Sequence, residues 1–72
     1  MSFRAYLDNV EAKTGKSADE LKAIAIDKGL ADTSGLAPGV KATAIVGWLK
    51  SDFGLGHGHA MSIVAYIKGK RS

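Results

Sequence analysis

The stretch between Phe53 and Met61 concentrates the chemistry of this chain. Gly54, Gly56 and Gly58 alternate there with Leu55, His57 and His59. Three glycines in so short a run describe a backbone that turns sharply or lets another group approach its amides. Ahead of a helix, such amides and the positive end of the helix dipole suit an anion, a phosphate above all. His57 and His59 raise a second chemistry, metal ligation, with Asp52 as a third donor. A dependable site takes three or four convergent ligands, and the chain has no other histidine and no cysteine. Neither a metal nor any other cofactor is therefore expected, and one imidazole is expected to cap, accepting a bond from an exposed helix amide.

No catalytic pattern appears elsewhere, and the reading is of a protein that is not an enzyme. Asp8, Glu11, Asp19, Glu20 and Asp27 fall on outer faces or first turns of predicted helices, where carboxylates are solvated or pair at helical spacing. Thr14-Gly15-Lys16-Ser17 looks like the end of a phosphate-binding P-loop, but the glycine that loop needs five residues before Gly15 is Val10. Cations supply a further possibility. Lys50 lies just before the glycine run, and Lys68, Lys70 and Arg71 close the chain. Such a tail is either a phosphate-seeking arm or a solvated helix end.

Four helical segments must position these residues. The first opens at Ser2, an N-cap type, and carries Phe3, Tyr6, Leu7 and Val10 on one stripe before Gly15 ends it. Ser17 starts the second, with Glu20 completing a capping box and Ala18, Leu21, Ile24 and Ala25 turned inward. Gly29 and Leu30 predict a Schellman end. Residues 30–39 are read as the only real loop, with Leu30 and Leu36 as plugs over the core. A third helix is predicted from about Val40 to Phe53, its apolar face made of Ala44, Ile45, Trp48, Leu49 and Phe53. A fourth runs from near Gly58 to Lys68, with Ala60, Ile63, Val64 and Ile67 inward. No strand pattern competes. The expected fold is all-α: one compact bundle of four short helices, arranged as two helical hairpins across residues 1–72. Laid so that Ala18 falls on Ala60, the halves share too few residues to show a duplication.

Two resemblances attach to these residues. Gly54-Leu55-Gly56, then Ala60, then Ile63-Val64 resembles the helix-hairpin-helix motif, in which glycine, a hydrophobe and glycine precede an alanine and a pair of aliphatics. The resemblance implies that Leu55 anchors the turn while the amides behind it hold a phosphate of nucleic acid without reading sequence. Where that motif usually carries Lys or Arg, this chain has His57, Gly58 and His59. More broadly, Tyr6 to Ser17, containing Glu-Ala-Lys-Thr-Gly-Lys-Ser, together with Trp48 to Met61, is similar to a small bacterial family of unknown function. Its members are short helical domains, alone or fused to another. The similarity runs from about Phe3 to Lys68 and implies no activity, cofactor or catalytic residue.

Composition bounds the rest. The chain has 72 residues, 46% hydrophobic and 24% charged, with ten Lys/Arg against seven Asp/Glu, the balance of a folded domain. A domain this small leaves about 40% of its chain's surface in water, so the core is thin. The absence of cysteine fits a reducing cytoplasm, and no apolar run has the length of a membrane span or signal peptide. Two function classes follow. One is a small helical domain that binds nucleic-acid phosphates weakly and without sequence preference, through Gly54, Gly56, His57, Gly58, His59, Lys50, Lys68, Lys70 and Arg71. The other is a protein-interaction module, self-association included, with surplus apolar surface at Leu36, Trp48 or Met61. Cations clustered beside the glycine run favour the first, and scattered cations favour the second.

Overall fold

The computed structural model describes residues 2–71. Four helices carry the chain: α1 (Phe3–Thr14), α2 (Ala18–Asp27), α3 (Ala42–Phe53) and α4 (His57–Ile67). Their limits follow from capping. The Ser2 side chain accepts from the Ala5 N–H at 3.2 Å and so satisfies an amide that α1 leaves open. At α2 the capping box is complete: Ser17 Oγ accepts from the Glu20 N–H at 3.2 Å, and Glu20 Oε1 from the Ser17 N–H at 3.0 Å. The predicted Schellman end is present as well, with Gly29 N–H donating to Ile26 O at 3.0 Å and Leu30 N–H to Ala25 O at 2.9 Å.

The two helix pairs share one connection. After α1 come Gly15 (φ 73°, ψ 10°), Lys16, and Ser17 in extended conformation (φ −70°, ψ 165°). After α3 come Gly54 (φ 66°, ψ 23°), Leu55, and Gly56, also extended (φ −71°, ψ 166°). A left-handed residue, one linker and an extended N-cap therefore serve both joints. Helix starts match Phe3 with Ala42 and Ala18 with His57, a different overlay from the one suggested by the alanines.

Packing does not divide along the same lines. α3 and α4 make the most extensive helix contact, while α1 and α2 each lean more on α4 than on one another. The sequence explains this hub: Ala60, Ile63, Val64 and Ile67 form one fully buried apolar face of α4, and Ser62 is buried beside them. The fully buried core joins Val10, Leu21, Ile45 and Leu49 to Ile63, Val64 and Ile67.

Three expectations need correction. Residues 30–39 are not all loop: β1 (Ala31–Asp32) pairs antiparallel with β2 (Gly35–Leu36), Ala31 opposite Leu36 and Asp32 opposite Gly35. The fold is mainly α with this minimal ladder. Its turn is held by Asp32 Oδ1, which accepts from the Ser34 N–H at 2.8 Å and the Ser34 hydroxyl at 2.7 Å. Two-residue strands are too short to show an alternating pattern, although Leu30 and Leu36 do pack on the core as plugs. The inner face of α3 is also rotated from the one expected. Ile45, Val46 and Leu49 are buried, Ala44 is exposed, and Trp48 and Phe53 pack at the margin. Leu7 and Ile24 are half-buried rather than central.

These features set three stability outcomes. Gly54→Ala forces a side chain into the left-handed region, and a loss of roughly 1–2 kcal/mol is expected in chemical denaturation. Gly47, inside α3 with nothing within 4 Å of an added Cβ, should respond oppositely: Gly47→Ala gains about 0.5–1 kcal/mol. Bonds from Ser17 hold the exposed Glu20 carboxyl below its ordinary value of 4.5. Their stabilisation is present above pH 4.5 and is lost as pH falls below it. The melting temperature of Glu20→Gln should accordingly fall less on acidification than that of the wild type.

Candidate functional site

The glycine run is the joint between α3 and α4. Gly54 ends α3 with its N–H donating to Lys50 O at 3.1 Å, in the left-handed conformation that the alignment of the next two residues requires. Leu55 is then carried inward and is only 2% exposed, which pins the joint to the core. Behind it Ala60, Ile63 and Val64 are buried in turn. Gly56 is the N-cap of α4 and has no side chain to offer, and no acid lies in the first turn. The first intrahelical bond runs from Ala60 N–H to Gly56 O at 2.9 Å. The amides of His57, Gly58 and His59 consequently lack helical acceptors.

Positive φ belongs to Gly54 and not to Gly56 or Gly58. Gly56 is extended, and Gly58 lies within α4. An added Cβ at Gly56 would meet nothing within 4 Å, and at Gly58 it would come to 4.0 Å from Tyr6 Cε1, an ordinary contact. The fold thus has room for alanine at both places. Having glycine there instead leaves the backbone of this helix start bare.

The two histidines part company. His57 is exposed, whereas His59 is half-buried, its ring edge-on to Tyr6 at 5.3 Å between centroids. His59 Nε2 is buried without a hydrogen-bond partner, and His59 O accepts from Ser62 Oγ at 2.5 Å. No group of three or more His, Asp or Glu side chains is placed to hold a metal among the described residues.

The cations named with the glycine run are divided between the two ends of α4. Lys50, in the last turn of α3, sits at the joint. Lys68, Lys70 and Arg71 lie past the other end of an eleven-residue helix, about 16 Å away along its axis. Two of the three are also engaged there. Lys70 Nζ lies 5.3 Å from the Phe3 ring centroid, and the Arg71 guanidinium lies 3.8 Å from that of Tyr66. Arg71 Nη1 donates to Tyr66 O at 2.8 Å and to Lys70 O at 2.9 Å. The apolar candidates divide too. Leu36 and Trp48 pack against the core, while Met61 is 38% exposed.

A cleft formed by α1, the start of α2 and the end of α4 was not legible in the sequence. Arg4, Asp8 and Glu11 line it with Asp19, Tyr66 and Arg71. The Tyr66 hydroxyl donates to Asp19 Oδ1 across 47 positions of chain, and no local pattern marks so distant a pair. This bond is the main reason the Tyr66 hydroxyl is pushed above its ordinary value of 10.0.

A family model described as Domain of unknown function (DUF4287) matches residues 2–69. No curated protein and no solved structure matches the chain. No helix among the described residues is long and apolar enough to cross a membrane.

The tie between Tyr66 and Asp19 can be measured. Tyr66→Phe should cost about 1 kcal/mol at neutral pH, the ordinary worth of one hydrogen bond. A raised folded pKa means that the contribution is present below pH 10.0 and lost above it. The stability gap between wild type and Tyr66→Phe should therefore narrow in urea titrations carried above that pH.

Proposed function

The chain belongs to this domain-of-unknown-function family (DUF4287), and we propose that it is a small binding domain that holds a phosphate of a nucleic-acid backbone at the α3–α4 joint. The reading assigns it no catalytic role and no sequence preference. A cytoplasmic location is part of the reading, with which a cysteine-free composition is compatible, and a bacterial source is what the family resemblance implies.

One observation carries the proposal: the start of α4 is an uncapped helix N-terminus whose glycines the fold does not require. Three amides, the positive end of the helix dipole and the nearby Lys50 all favour a negative group. Gly56 and Gly58 put no Cβ between those amides and a phosphate oxygen. Leu55, held in the core, keeps the joint from collapsing inward. This arrangement supports the helix-hairpin-helix resemblance through the burial of Leu55, Ala60, Ile63 and Val64.

Charge placement sets the expected strength. Only Lys50 of the four cations stands beside the joint, so the site neutralises one or two phosphates. A logarithmic salt slope of about −1 to −2 is expected, with a dissociation constant near the weak end of non-specific binding, roughly 10⁻⁴ M. Lys68, Lys70 and Arg71 lie too far along α4 to join the same phosphate and serve at most a second contact.

The scatter of those cations favours the competing reading, a protein-interaction module, whose surface support is reduced to Met61 and to Ile26, 39% exposed. Titration separates the two. Low-salt duplex DNA should shift the amide resonances of residues 56–60 in a ¹H–¹⁵N spectrum. His57→Glu places an anion where the phosphate belongs, at a helix start that tolerates acids. It should abolish those shifts and leave the thermal midpoint unchanged. Wild-type protein showing no shifts at the joint with millimolar duplex would remove the nucleic-acid reading and leave the interaction module.

A further inference from the structure

The cleft at the opposite end of α4 has a chemistry of its own, independent of the α3–α4 joint. One wall is a stripe of α1, with Arg4 and Glu11 two turns apart. The start of α2 and the last turn of α4 supply the others. Its volume is about 240 Å³, room for roughly eight water molecules at ~30 Å³ each. That suits a ligand of about as many non-hydrogen atoms.

The lining offers both signs of charge. Arg71 is fixed by its stack on Tyr66 and by two backbone carbonyls that occupy Nη1, which leaves Nη2 and Nε to donate elsewhere. Asp19 accepts from Tyr66 through Oδ1, and its other oxygen has no hydrogen-bond partner among the described residues. The Glu11 carboxylate has no partner among the described residues. Arg4 and Asp8 form a mostly exposed pair at 3.7 Å, of the weak kind that a ligand displaces at little cost. Between the charged groups lie the apolar side chain of Leu7 and the ring of Tyr66.

Charge and geometry narrow the occupant. Three carboxylates against two guanidiniums make the cleft poor for phosphate or another dianion. A metal is equally unsuited, since no three ligating groups converge among the described residues. Arg4 and Glu11 stand seven positions apart on α1, about 10 Å along the axis, which is more than the separation of the two charges in an α-amino acid. We propose that this cleft binds a linear zwitterion, a carboxylate and an ammonium joined by a short aliphatic chain. The carboxylate meets Arg71 and Arg4, the methylenes lie over Leu7 and Tyr66, and the ammonium meets Glu11 and Asp19. A free ω-amino acid has this chemistry, and so does a lysine at the carboxyl end of a peptide.

Binding of ε-aminocaproate, followed by ¹H–¹⁵N spectra of the whole chain, tests the proposal. Saturable shifts are expected at Leu7, Glu11, Asp19, Tyr66 and Arg71, with caproate and hexylamine each at least about tenfold weaker because each supplies only one charge. Nα-acetyl-lysine distinguishes the sources: tighter binding than ε-aminocaproate points to a peptide end, weaker binding to a free ω-amino acid. Glu11→Gln removes a carboxylate that supports nothing in the fold, so it should weaken binding about tenfold with the melting temperature unchanged. The proposal fails if ε-aminocaproate gives no saturable shifts at these residues, if either one-ended control binds as well, or if Glu11→Gln binds like the wild type.

Discussion

Every other helix depends on the burial of α4. Ile63, Val64 and Ile67 have almost no contact with water, and α1, α2 and α3 all pack against α4. Among the described residues one core cluster carries the load, so truncating Ile63 to alanine removes about 2–5 kcal/mol from a margin of similar size. The same burial limits which groups of α4 face solvent. Apart from the exposed Met61, the middle of α4 is consumed by packing, and its solvent-facing polar groups stand at its two ends. One end presents bare amides and glycines; the other brings a stacked arginine and a tyrosine beside the acids of α1 and α2.

Much of this was legible in the sequence because capping is local chemistry. Ser2, Ser17 with Glu20, Gly15, Gly54 and the Gly29-Leu30 end each act within a few residues of chain, and each was readable from the order of residue types. Leu55 was readable for a similar reason, since a lone hydrophobe between glycines at a helix joint has few places to go but inward. The strands β1 and β2 were not, because their Asx turn organises only two residues on either side. Nor was the rotation of α3. Ala44 and Trp48 fit the apolar stripe as well as Val46 does, and only the position of α4 decides which arc is covered.

The candidate site divides along the same line. Gly54, Gly56, His57, Gly58, His59 and Lys50 are neighbours in sequence and remain neighbours in space. Lys68, Lys70 and Arg71 shared only a charge sign with them, and the length of α4 carries them away. Lys70 on Phe3 and Arg71 on Tyr66 fold the end of the basic tail back against α1 and α4. Tyr66 and Asp19 show the opposite failure: nothing links them in the chain, yet they build one wall of the second cleft. Two buried ring nitrogens, Trp48 Nε1 and His59 Nε2, are left without partners, and neither has a counterpart in the sequence pattern that would have foretold it.

The repeated joint has a consequence for how the two halves differ. Both reach their second helix through the same backbone path, and the divergence lies in what occupies the space in front of its first amides. In the first half that space holds an oxygen of the chain itself, the Ser17 hydroxyl on the Glu20 N–H. In the second half it holds no atom of the capping residue, because Gly56 has none to give. One joint thus carries a built-in occupant and the other is the same socket emptied. A serine at residue 56 would turn the second into a copy of the first, filling from within the place that Gly56 leaves open.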